Sequence, residues 1–187
     1  MIALIDTSSL VSLARYYLPH DKNNALLKYI EQQLEEKKIV VIDRVFDESG
    51  YVAKGIVLQK MAFIGNHKVN TVDLLPSQKF FNQLENEFCY GAIKNKLPEA
   101  EFEAEKSRYL GTPDPKLVLY WQKHHADYAS DNLVVVTEET TSENDKKLFK
   151  KLPAICDILQ IEHGTLPELM TTFEDLEISF NHLRKKK

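Results

Sequence analysis

Glycine is scarce, with six residues in 187 and no spaced glycine-rich run. That removes the backbone cradle that dinucleotide and nucleoside triphosphate folds use for phosphates. Cysteine is scarcer still. Cys89 and Cys156 lack the short spacing of a zinc or redox motif and make no disulfide framework, so a reducing cytoplasm is the expected setting. No apolar run at the N-terminus is long enough for a membrane span, and no membrane partner is expected. Asp6 interrupts the apolar stretch there, and the basic start of a signal peptide is missing, so these residues are expected to belong to the fold.

An excess of basic residues is also lacking. The formal net charge of -4 excludes the strong overall positive field of a protein that grips nucleic acid constitutively. Any polynucleotide contact must be local, with Lys146, Lys147, Lys150 and Lys151, or the tail Arg184 to Lys187, as its candidates. The plainer reading of both is a solvated lysine-rich helix and a basic end. Hydrophobic residues at 43% and charged residues at 28% are those of an ordinary globular chain, and the length suits a single domain over residues 1–187.

What is present is an alternation of buried-strand and helix patterns. Ile2 to Ile5 is a short, continuously apolar run ending at Asp6, as in a strand buried on both faces. Ser8 or Ser9 is a candidate cap for a helix carrying Leu10, Leu13, Ala14 and Tyr17 before Pro19. A second helix is predicted from about Lys22 to Glu36. Ile39 to Ile42 is the next strand, followed by Val45, Ser49, Val52 and Ile56 at helical spacing. Leu133 to Val136 is a third strand, and Ile161 to His163 a short fourth after a helix at Leu152 to Gln160. Such alternation predicts an α/β fold, a central parallel sheet with helices on both faces. Over residues 60–112 the strand signal stops, which reads as a helical insertion. Phe80, Phe81, Leu84 and Phe88 form a stripe there that reads first as core packing.

Acidic residues stand at the ends of these elements. In an open parallel sheet, ligands bind beyond the carboxyl ends of the strands. Asp6 stands at one such end, and Glu139 just beyond another, with Glu138 as its alternative. Glu48 falls early in the helix after Ile39 to Ile42, and flanks its apolar face better than Asp47 does. Asp114, between Pro113 and Pro115, reads alone as a helix cap. Together the four acids would repel one another unless cations bound between them, and hard oxygen donors suit Mg²⁺ or Mn²⁺.

These segments resemble the PIN domain, a family that includes ribonuclease toxins of toxin-antitoxin pairs. The resemblance is carried by IALIDTSSL (2–10), VFDESGYV (45–52), TPDPKLVLYW (112–121) and LVVVTEE (133–139), in that order. KKLPAICDILQIEHGTLPELM (150–170) looks like the end of a less characterised PIN-like subgroup. The middle of the chain is not covered. The resemblance implies Asp6, Glu48, Asp114 and Glu139 as catalytic metal ligands, with Thr7 or Ser8 as the hydroxyl beside the first acid. It implies Mg²⁺ or Mn²⁺ as cofactor, hydrolysis of RNA by metal-assisted attack of water, and as partners an RNA substrate, an antitoxin protein or a homodimer. The Phe80 to Phe88 stripe is the candidate antitoxin contact.

A binding reading competes: a PIN-like module without catalysis that holds RNA or protein. Other chemistry finds little support. His124 and His125 are adjacent, which suits a helix end better than a metal motif, and Cys156 reads as a small core residue.

Overall fold

The computed structural model describes residues 1–128, 132–141, 147–173 and 176. Its sheet consists of β1 (Ile2–Ile5), β2 (Ile39–Val40), β3 (Leu133–Val136) and β4 (His163–Gly164), all parallel, in the order β2-β1-β3-β4. Every residue of β1 and β3 is buried. Because successive strand residues face opposite sides of a sheet, burial of all of them means that both faces are covered. The α/β architecture and parallel sheet are those the apolar runs predicted.

The helices in chain order are α1 (Thr7–Ser12), α2 (Ala25–Glu35), α3 (Asp43–Ser49), α4 (Ile56–Lys60), α5 (Ile64–His67), α6 (Gln78–Asn86), α7 (Gly91–Lys94), α8 (Glu99–Leu110), α9 (Pro113–His124), α10 (Leu152–Leu159) and α11 (Leu166–Met170). None is long and apolar enough to cross a membrane, among the described residues.

Five boundaries differ from the sequence-based expectation, the simplest being β2, which ends at Val40 and not at Ile42. The first helix is capped by Asp6 itself, whose carboxylate accepts from the backbone N–H groups of Thr7 and Ser8, and not by Ser8 or Ser9. The second begins only at Ala25, because Asn23 and Asn24 are left-handed at φ 67° and 54°, a conformation Asn tolerates better than most residues. Val52 and Ile56 do not continue α3. Gly55, at φ +68°, turns the chain so tightly that a Cβ there would lie 2.8 Å from the Gly50 carbonyl oxygen. Finally β4 is shifted to His163–Gly164. Gln160 ends α10 in the left-handed conformation, and the Ile161 N–H returns to the Cys156 carbonyl at 2.9 Å, so Ile161 packs as a helix terminator.

Residues 60–112 are fastened to the rest. Val69 bridges Ile42 in parallel, and Cys89 bridges Phe149. Phe80, Leu84 and Phe88 are fully buried, with the two phenylalanine rings edge to face at 5.8 Å. Those three residues pack as the core reading of the stripe expected, while Phe81 is half-buried.

Candidate functional site

The strand order creates the site. From β1 the chain moves outward to β2, then returns past β1 to add β3 on its other side and β4 beyond. The crevice therefore opens between the carboxyl ends of β1 and β3, where the direction of winding reverses. Ile5 pairs with Val136, so Asp6 and Thr137 emerge side by side. The Asp6 N–H still donates to the Val136 carbonyl at 2.9 Å, and the Thr137 N–H to that of Gly164 at 3.0 Å.

Asp6 is buried and held from several directions. One carboxylate oxygen accepts from the Thr7 N–H at 2.6 Å. The other accepts from the Ser8 N–H at 3.3 Å and the Ser8 hydroxyl at 2.7 Å. Thr137 Oγ1 donates to that same oxygen at 3.1 Å and lies 3.2 Å from Ser8 Oγ. Ser8 Oγ in turn accepts from the Glu138 N–H at 2.9 Å, and Thr137 Oγ1 from the Glu139 N–H at 3.2 Å. These bonds fix the carboxylate before any ligand arrives.

Asp6, Glu48, Asp114 and Glu139 line one cavity of about 540 Å³, together with Thr7 and Ser8. The two ambiguous pairs separate by environment. Glu48 lines the cavity while Asp47 is exposed on the far side of α3. Glu138 accepts from the Leu166 N–H at 2.6 Å at the start of α11, which Thr165 caps, whereas Glu139 lines the cavity and accepts from Leu152 N–H at 3.3 Å. Asp114 is not the cap of its helix. Thr112 holds that position and Pro113 the next, which leaves Asp114 in the first turn with no cap bond to make.

The acids repel one another. The carboxyl of Asp114 is pushed well above the usual carboxylate range by burial, then by the charges of Asp6, Glu139 and Glu48, with Lys147 opposing. Glu139 is raised by burial and then by Asp6. Glu48 is raised by burial and by Asp6, and the nearby Thr7 hydroxyl offsets part of this, although Thr7 Oγ1 is buried without a partner at hydrogen-bond distance. Among the described residues, no three His, Cys, Asp or Glu side chains are gathered into a set that could hold a metal ion. The acids face one cavity without closing on a point. Such a donor set fits an ion that keeps most of its water and takes one or two carboxylates directly, which is the habit of Mg²⁺. A cation would also relieve the repulsion.

Several lining residues carry the opposite charge or none. Lys147, Lys150 and Lys151 border the cavity, and Arg108 and Tyr109 reach it from α8. Arg108 pairs with Glu105 at 2.7 Å and is largely exposed. Lys146 and Arg184 to Lys187 lie outside the described residues. Thr137 and the α8 residues were not among the sequence-derived candidates. Thr137 had one available signal, its position directly after an apolar strand.

Elsewhere, His124 and His125 do end α9, with His125 stacked on Trp121 at 4.3 Å and His124 Nδ1 3.0 Å from Asp127. Cys89 and Cys156 are both free and buried, Cys156 completely so. A family model described as a domain of unknown function, DUF4411, matches residues 4–176. No curated protein and no solved structure matches the chain.

Proposed function

The chain belongs to the DUF4411 family, a domain of unknown function, and we propose that it is a metal-dependent endoribonuclease using Mg²⁺ or Mn²⁺. The observation that carries this reading is the meeting of Asp6, Glu48, Asp114 and Glu139 in one cavity at the switch point of the sheet. These acids come from four distant parts of the chain. A structural role for each alone explains neither the convergence nor the three carboxyl groups held above their ordinary range.

Asp6 is the central ligand in this reading, since its hydrogen bonds hold it rigid and still leave it facing the cavity. Glu48, Asp114 and Glu139 bind the ion directly or through its waters. Ser8 and Thr137 keep Asp6 oriented, and Thr7 offers a hydroxyl with no other partner. A bound divalent ion lowers the pKa of an attacking water and stabilises the leaving oxygen of a phosphodiester. Lys147, Lys150 and Lys151 provide positive charge beside the acids, which a polyanion needs in order to approach an otherwise acidic chain. The resemblance to PIN domains supports RNA as substrate, a toxin role with an antitoxin partner, a homodimer and a cytoplasmic setting.

The test is Mn²⁺-dependent cleavage of structured and unstructured RNA, with melting curves of the same proteins. Wild type is expected to cleave and to melt higher in Mn²⁺ than in EDTA, because an ion that binds only the native state stabilises it. Asp6→Asn is expected to lose cleavage and most of the Mn²⁺ shift. Equal cleavage and equal shifts in the two proteins would reject the site. Absence of cleavage in wild type, with RNA still bound, would instead favour the binding module.

A further inference from the structure

The wall that α8 adds to the cavity contains a hydroxyl with no partner. Tyr109 lines the cavity, and its hydroxyl oxygen is buried with no hydrogen bond among the described residues. Buried polar atoms in folded proteins are nearly always paired, so one that is not asks for a reason. The ring is not loosely placed. It stacks on Phe149 with centroids 4.1 Å apart and planes 11° from parallel. Phe149 is pinned in turn, because its neighbours Leu148 and Lys150 exchange backbone hydrogen bonds with Tyr90 and Phe88 at 3.0 and 2.8 Å. The Tyr109 carbonyl accepts from both the N–H and the hydroxyl of Thr112, at 2.9 and 2.7 Å.

The stacked ring holds the hydroxyl in place on the cavity wall. It lies near enough to Asp114 and Glu139 for their charges, after burial, to push its pKa well up, so it stays protonated and is a donor. No lining carboxylate or hydroxyl among the described residues is within hydrogen-bond distance of it. Thr7 Oγ1, on a residue only 4% exposed, is a second unpartnered hydroxyl lining the same cavity. An unpartnered donor on the wall of an open cavity fits an anionic oxygen that arrives from outside.

We propose that the Tyr109 hydroxyl donates a hydrogen bond to a non-bridging oxygen of the bound phosphodiester, fixing that group against the acids. This inference rests on the nuclease reading of the same cavity. It assigns α8, which the PIN resemblance does not cover, a direct contact with substrate. The Phe149 stack sets the position of the ring, and Lys147, which lines the same cavity, supplies positive charge near Glu139.

Tyr109→Phe tests this, since it keeps the stacked ring and removes one oxygen atom. The probe is a short fluorescein-labelled oligouridylate, its binding followed by anisotropy in Ca²⁺ and its cleavage in Mn²⁺. The variant is expected to bind about tenfold more weakly and to cleave at least tenfold more slowly, as befits loss of a hydrogen bond to a charged oxygen. Its Mn²⁺ melting shift is expected to match wild type, and its melting point without ligand to be equal or higher, because the hydroxyl has no partner to lose. Equal oligouridylate affinity in the two proteins would overturn the inference, and so would a lower ligand-free melting point in the variant. Failure of the nuclease reading has a different signature: wild type would not cleave, or Asp6→Asn would keep both cleavage and the Mn²⁺ shift, whatever Tyr109→Phe does.

Discussion

Thr137→Val removes one hydroxyl from the centre of the site while keeping volume and strand preference, since valine is the closest apolar shape and suits the end of β3. Thr137 is 2% exposed, so the side chain exchanges no solvent contact in the process. Two hydrogen bonds disappear, along with the 3.2 Å contact between Thr137 Oγ1 and Ser8 Oγ. Asp6 Oδ2 loses the hydroxyl that donates to it at 3.1 Å, and the Glu139 N–H loses its acceptor at 3.2 Å. The first is a hydrogen bond to a carboxylate and the second a half-buried backbone group that water can partly serve, so the combined cost is about 2–4 kcal/mol. In a domain of this size that corresponds to a fall in melting temperature of roughly 5–15 °C. Thermal melting in EDTA measures it directly. In Mn²⁺ the variant is expected to gain less than wild type, because Asp6 then rests on Ser8 and the backbone alone. An unchanged melting point would refute the argument, by showing that Asp6 is oriented without the contact across β1 and β3.

Three further outcomes are expected. In Asp114, Glu139 and Glu48 the folded carboxyls are raised above their unfolded values, so the folded state holds more protons over that window and stability falls as pH rises from about 4 towards neutrality. Asp114→Asn should flatten this dependence in metal-free protein and raise its melting point near neutral pH; an unchanged slope would mean that the acids do not interact. Lys147→Ala and Lys150→Ala should each weaken oligouridylate binding and reduce the slope of log affinity against log salt by about 0.7, as for one lost phosphate contact, and unchanged slopes would place these residues outside the binding path. Leu4→Ala, at a fully buried position in the centre of the sheet, should cost about 2–5 kcal/mol in urea denaturation, and a smaller loss would mean that the cavity collapses.

The strands were legible because a short apolar run buried on both faces has few other uses, and β1 and β3 fall on the predicted residues. Position at the strand ends likewise singled out Asp6 and Glu139, which the parallel pairing of β1 with β3 brings to one edge. Spacing alone was less able to place breaks. The turn at Gly55 interrupts a helical pattern that continues in the residue types, because an apolar residue every third or fourth position does not distinguish one helix from two joined by a left-handed turn. The contribution of α8 was not legible either. Arg108 and Tyr109 sit on a charged helix with no strand nearby, and only the tertiary packing of residues 147–150 against that helix puts them on the cavity.

The four acids differ in how the fold accommodates them, and the difference bears on their roles. Asp6 is surrounded by donors that stabilise its charge, two from the backbone and two from hydroxyls. Asp114 has no such donors among the described residues and feels burial and three like charges instead. A fold selected for stability alone would place a neutral side chain at Asp114, since the first turn of α9 already has Thr112 at its cap and Pro113 after it. Keeping a carboxylate there costs stability, and on the proposed reading a cation in the cavity would offset that cost. Asp6 is therefore the residue around which the site is built, whereas Asp114 is the one whose energy depends most on what the site binds. For that reason the sign of the Asp114→Asn effect, stabilising without a cation and destabilising with one, separates a binding site from a structural cluster of acids.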